Sequence, residues 1–214
     1  MLARPEAILV VPAHFDEPVQ KLTGSAHPPT SHDFCGFPDI VYQQQYRAPG
    51  ASALARDIAQ MLREAGHDVR IDPARGLDHG AWVSLMLLYP EADIPELQLS
   101  IDSRRSAEWH VALGAARAPL RDGDILIIGS GSMTHNLRAF LTERPAIDAR
   151  PPDSVSAFAD RINTRLIAGD TAAVTELMAR APDALRNHPT LDLILPLHVA
   201  MGAGGVPLHA YAFD

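Results

Sequence analysis

Two short runs of apolar, largely β-branched residues constrain this chain more than anything else in it. "AILVV" covers Ala7 to Val11 and "ILII" covers Ile125 to Ile128. Neither alternates with polar residues, and both are too short for a core helix. Such runs read as strands buried on both faces, the pattern of a parallel sheet covered by helices. The first stops at Pro12 with His14 just beyond it, and the second stops at "GSGS" with His135 beyond it.

The segments between them support that reading. "DVRID" and the stretch from Glu96 to Ile101 read as further strands. "PGASALARDIAQMLREAG" places Leu54, Ile58, Leu62 and Ala65 at helical spacing and ends at Gly66. A mostly apolar helix running to Leu88 follows the turn that holds His79, and "SAEWHVALGAARAPLRD" is another. After a linker, "AIDARPPD", come "SVSAFADRINTRLIAG", "AAVTELMARAP" and "LDLILPLHVAMGAGG", each read as one helix. Alternating strands and helices predict an α/β fold: a single domain over residues 1–214 with a central, mostly parallel or mixed sheet flanked by helices. The long stretch from Phe15 to Tyr46, rich in Pro, Gly, Ser and His, reads mainly as a loop of the kind that lines functional sites.

Composition narrows the function. The chain has 214 residues, 47% of them hydrophobic, and a formal charge of -8. That balance argues against nucleic-acid or anionic-membrane partners, which require a basic surface. No apolar run approaches the roughly 18–20 residues of a membrane span, and no signal peptide is read at the N-terminus. A single cysteine, Cys35, excludes an internal disulfide and suggests a cytoplasmic setting. Ten histidines are the unusual count. Some, such as His67, read as surface scatter, but those at strand ends and turns are placed to converge on a metal.

"GSGSMTHNL" invites a phosphate-loop reading. A dinucleotide loop needs a third glycine where Thr134 stands, and a P-loop needs a lysine that is missing, so the stretch reads as a turn delivering His135. In "LDHGAW", Asp78 fits a helix N-cap, with orientation of the His79 imidazole as the other reading.

The segments "PEAILVVPAHF", "PPTSHDFCGFPDIVYQQQYRAPGA", "LDHGAWVSLMLLYPEADIPELQLSID", "DILIIGSGSMTHNL" and "HPTLDLILPLHVAMGA" together resemble the class III extradiol ring-cleavage dioxygenases, in the branch related to DOPA 4,5-dioxygenases. The resemblance implies a non-haem iron(II) enzyme, with zinc in its place in some relatives, that adds O2 beside the hydroxyls of a catecholic small molecule. Iron must keep positions open for a bidentate catecholate and O2, so the protein supplies about three ligands on one face. On the family pattern His14 is a metal ligand. His135 is the acid/base histidine, also recorded as a ligand in some relatives. His79 is a second catalytic histidine, contacting substrate or oxygen.

The pattern also departs from the family. Relatives open with a strand ending in Gly-His-Gly-Ser-Pro at a position that falls before Met1, so the expectation is a domain lacking that strand and its ligand. Relatives carry Glu-His before "LPL", where this chain has Asp192 and Leu193, and "MGAGGVPLHAYAFD" reads as a shortened tail. A compensating set would be His14, His135 and Asp192, the last requiring a small helix rotation, with His188 and His198 as other candidates. The open sheet edge left by a missing strand suggests a homo- or hetero-oligomer. The alternative function is a catalytically inactive homologue, either a partner subunit or an aromatic-binding pseudoenzyme. A zinc hydrolase on the same histidines is disfavoured, because no serine or glutamate sits at a fitting spacing.

Overall fold

The computed structural model describes residues 4–146 and 148–204. It is an α/β fold with parallel sheets flanked by helices, as the sequence pattern predicts. The strands are β1 (Ala7–Pro12), β2 (Gln20–Thr23), β3 (Val69–Asp72), β4 (Glu96–Gln98) and β5 (Ile125–Ser130). The helices begin with a single turn, α1 (Asp39–Tyr42), followed by α2 (Ser52–Glu64), α3 (His79–Leu88) and α4 (Ala107–Ala115). Beyond β5 come α5 (Leu137–Glu143), α6 (Asp153–Ile167), α7 (Thr171–Thr175), α8 (Leu177–Arg180), α9 (Ala184–Asn187) and α10 (Leu195–Gly204).

The main sheet has the order β4-β1-β5, all parallel, with β1 central and every one of its residues buried. Ile8 and Val10 face Leu77, Trp82 and Leu85 on the α3 side. Leu9 and Val11 face a second layer built from α2, α4 and α10, through Ile58, Leu62, Leu113 and Val199. A third cluster, including Phe158, Ile162 and Ile194, packs α6 to α9 against α10. β2 and β3 form a separate parallel pair.

Several sequence expectations need correction. The stretch from Phe15 to Tyr46 is not all loop: it contains β2 and α1. The strand expected at Glu96 to Ile101 is regular only to Gln98. Leu99 and Ile101 then turn to isolated bridges with Leu22 and Asp16, because the chain leaves β1 there. The run "ILII" has the pattern of a strand buried on both faces, yet every residue of β5 is half-buried. Its helix contacts are in place, but β5 is the edge strand, with no partner on its outer side among the described residues. "AAVTELMARAP" is two short helices that meet at Glu176. The last helix begins only at Leu195, and the tail from residue 205 lies outside the described residues.

The glycines of "GSGS" serve packing rather than a tight turn. Neither Gly129 nor Gly131 has a positive φ. A Cβ on Gly129 would overlap the Pro196 carbonyl oxygen, and one on Gly131 would overlap that of Leu193. The start of α10 therefore rests backbone to backbone on the end of β5, which side chains would prevent.

Candidate active site

In an open parallel sheet the crevice for a ligand lies beyond the carboxyl ends of the strands. His14 stands two residues past β1 at that end. Beside it, Ala13, Asp16, Ser103, Thr190 and Asp192 complete the lining of an open hollow of about 330 Å³. The two carboxylates there differ. Asp16 accepts from the Ser103 backbone N–H at 2.9 Å and from the Ser103 hydroxyl at 2.5 Å, so each of its oxygens is engaged. Asp192 has a buried Oδ1 with no hydrogen-bond partner. It lies in the turn before α10, already on the hollow, so the rotation expected of a helical Asp192 does not arise.

His79 comes up beside His14 from another element. It is the first residue of α3, whose N-cap is Asp78, the Asp78 side chain accepting from the Ala81 N–H at 3.1 Å. The start of α3 is held against the strand ends: the Ser130 hydroxyl donates to the Gly80 carbonyl at 2.5 Å, and a Cβ on Gly80 would meet Pro12 at 3.1 Å. This brings the His14 and His79 rings to a centroid separation of 4.3 Å. Desolvation, then the neighbouring His79, hold the pKa of His14 below the usual imidazole range, against the pull of Asp33, Asp78 and Asp192. A neutral imidazole is the form a metal requires.

The carboxylate that orients His79 is Asp33, not the adjacent Asp78. Asp33 Oδ1 accepts from the His79 backbone N–H at 2.9 Å and from His79 Nδ1 at 2.9 Å. Desolvation pushes the Asp33 carboxyl up, and the His79 hydrogen bonds outweigh it, leaving its pKa below the ordinary value. Sequence reasoning misses Asp33, which sits 46 residues from its partner inside an aromatic stretch. The "HDF" triplet is visible, but nothing local ties it to His79.

Around this pair stands an aromatic wall. The Phe34 ring meets His79 edge-on at 5.5 Å and also contacts Phe37, Tyr42 and Trp82. The loop carrying it is tied down by Trp82 Nε1 donating to the Ser31 carbonyl at 2.9 Å and by His32 Nε2 facing the Gln44 carbonyl at 3.0 Å.

The other candidates fall elsewhere. His135 is partly buried, its backbone N–H donating to the Asn187 carbonyl at 2.8 Å, and it does not line the hollow. His188 is buried, with Nε2 on the Met133 carbonyl at 2.8 Å. His198 is a core histidine, its two nitrogens facing the carbonyls of Ile194 and Val174. Among the described residues no three His, Cys, Asp or Glu side chains group closely enough to hold a metal. The hollow is instead lined by one imidazole, His14, and by the carboxylate residues Asp16 and Asp192, the partnerless Oδ1 of Asp192 being itself buried. An imidazole and a carboxylate are the donor types an iron(II) oxygenase site uses while leaving positions open.

Sequence and structure comparisons identify relatives of the whole described fold. The family described as the catalytic LigB subunit of aromatic ring-opening dioxygenase matches residues 2–211, and the chain belongs to that family. It is a dioxygenase, an oxidoreductase, of the class III extradiol type in the DOPA dioxygenase-like branch. The chain is 43% identical over 203 residues to a 4,5-DOPA dioxygenase extradiol of Beta vulgaris, covering 94% of this chain and 74% of that protein. It is 38% identical over 206 residues to the 4,5-DOPA dioxygenase extradiol of Escherichia coli (strain K12), with 94% and 74% covered. A crystal structure of an uncharacterized protein from Escherichia coli K12 superposes with a TM-score of 0.77 at 31% identity, covering 94% of this chain and 77% of that one.

Proposed function

We propose that this ring-cleaving dioxygenase acts on a catecholic aromatic with O2 and uses iron(II) held by His14 and Asp192. The observation that carries the reading is that His14, its pKa lowered by desolvation, and Asp192, whose Oδ1 has no hydrogen-bond partner, belong to the lining of one hollow beyond β1. The metal, when bound, supplies a Lewis acid and a one-electron centre able to engage both the substrate and O2.

The protein's own share is positional and acid–base. His79, beside His14, stands where it can accept a proton from a substrate hydroxyl. The Phe34 edge and its neighbouring rings offer an apolar wall for the aromatic ring, which favours stacked or edge-on contact. His135 is assigned the acid/base role that the family pattern gives it. It follows β5 at the same end of the sheet from which His14 emerges. The chain acts as one catalytic domain in a reducing cytoplasm, consistent with exposed, unpaired Cys35.

The test is anaerobic loading with iron(II), metal quantification, then caffeate or DOPA followed by air. A yellow ring-opened product with near-stoichiometric iron supports the proposal. Absence of both product and iron would overturn it. Zinc, which has no redox chemistry, should bind without turnover.

A further inference from the structure

The Asp33–His79 couple goes beyond the residues assigned above. One carboxylate oxygen, Asp33 Oδ1, accepts two hydrogen bonds from the same residue, the backbone N–H and Nδ1 of His79, each at 2.9 Å. A carboxylate can only accept, so Nδ1 must carry the hydrogen, and in the neutral ring Nε2 is then the bare nitrogen. Nε2 points away from Asp33 by the geometry of the ring, and no hydrogen bond engages it among the described residues. The His14 ring, at 4.3 Å, closes one side of the imidazole, and the Phe34 edge, at 5.5 Å, closes another.

We propose that Asp33 is a positioning residue: it locks His79 as the Nδ1–H tautomer and presents Nε2 as a proton acceptor toward the substrate hydroxyl. Three features support this over a purely structural cap. First, the helix does not need Asp33 for its N-cap, because Asp78 already serves the Ala81 N–H. Second, the second bond goes to the ring, which a cap would not require. Third, the backbone bond fixes where Asp33 sits relative to the α3 start, so the ring bond has a rigid base. The same carboxylate therefore sets both the register of the loop on α3 and the orientation of the imidazole. An imidazole free in water favours the other tautomer, with Nε2 protonated. Without Asp33 the ring would turn a donor, not an acceptor, toward the hydroxyl.

The catalytic consequence rests on the proposed ring-cleavage reaction, but the tautomer does not, and it is measured in protein without metal. Long-range proton–nitrogen NMR correlation on 15N-histidine-labelled protein reads each ring's tautomer, with His79→Gln assigning the signal. The wild type should show protonated Nδ1 and bare Nε2 at His79. Asp33→Ala should move His79 toward the Nε2–H form, while Asp33→Asn, which keeps an accepting oxygen, should retain the original tautomer. In kinetics, Asp33→Ala should lower kcat on the order of tenfold to a hundredfold with little change in KM, and Asp33→Asn should recover much of it. An Nε2–H tautomer in the wild type, or a tautomer unchanged by Asp33→Ala, overturns the proposal. So does a switched tautomer with unchanged kcat. A switch of tautomer in a protein that cleaves no catechol in any variant supports the positioning role and counts against the proposed substrate reaction instead.

Discussion

His14 and His79 lie with ring centroids 4.3 Å apart and planes inclined by 31°, one at the end of the central strand and the other at the start of α3. Their closeness follows from how α3 docks. The Ser130 hydroxyl holds the Gly80 carbonyl, and Gly80 has no side chain to keep the helix start off Pro12. Two imidazoles this close would repel each other if both were charged, which suits a site where at least one must stay neutral.

Metal binding should depend on the two donors unequally. His14→Ala should abolish measurable iron(II) or zinc uptake in titration calorimetry. Asp192→Asn should weaken it by one or two orders of magnitude, because a neutral amide is a poorer donor. His198→Ala should leave metal affinity unchanged, since both of its ring nitrogens face backbone carbonyls. Equal affinity in Asp192→Asn and the wild type would remove Asp192 from the site.

Gly129→Ala should cost stability without touching any polar side chain. The added Cβ would press on the Pro196 carbonyl oxygen and force α10 away from β5. A loss of about 1–3 kcal/mol is expected, read as a lowered urea midpoint with unchanged m-value. The same displacement should weaken metal binding, because the turn carrying Asp192 leads into α10.

Glu96 makes stability depend on pH. Its carboxyl is buried, neither oxygen has a hydrogen bond, and desolvation raises its pKa to about 8, with Asp78 adding to the shift. The folded state therefore keeps the proton that the unfolded chain has released. This favourable contribution is complete below the ordinary carboxylate pKa and declines as pH rises through about 8. Glu96→Gln should flatten the decline, gaining on the wild type by a few kcal/mol between about pH 5 and about pH 8. Parallel profiles would show that Glu96 is solvated.

His110 should act in the opposite direction. Burial pushes its pKa down to about 4, chiefly by desolvation. Nδ1 donates to the Ser106 carbonyl, which leaves Nε2 to accept from the Asp102 N–H. Its stabilising contribution is present above the ordinary imidazole pKa and lost as pH falls toward about 4. His110→Gln should lessen that acid sensitivity, as followed by thermal melts across the range. An unchanged acid limb would refute the assignment.

Phe34→Ala should raise KM for a catechol by about twofold to tenfold with kcat less affected, the amount expected for one lost aromatic contact. An unchanged KM would show that the substrate ring does not meet this wall.

Much of the fold is legible in the sequence, for identifiable reasons. "AILVV" announces a strand buried on both faces, and β1 is buried along its whole length. Asp78 before an apolar helix is a local signal, and it caps as local signals should. What stays hidden depends on contacts between distant segments. The half-exposure of β5 reflects its place at the sheet edge, which its own residues do not encode. The reason for Gly129 lies in Pro196, and the reason for Asp33 lies in His79. Burial of His198 is equally invisible, because a histidine on an apolar helix reads alike whether it faces a metal or two carbonyls.

The loop from Phe15 to Tyr46 contributes Asp33 and Phe34 to the site, while His14 stands on the strand around which everything else is packed. That split separates two evolutionary burdens. Changes in the aromatic wall can alter which ring is accepted without disturbing the strand that carries His14. Only Asp33 and the residues that pin the loop, such as Ser31, must be carried along. Substrate range in such a scaffold can drift by loop exchange, and a chimera that keeps these tethers is the natural starting point for redesign.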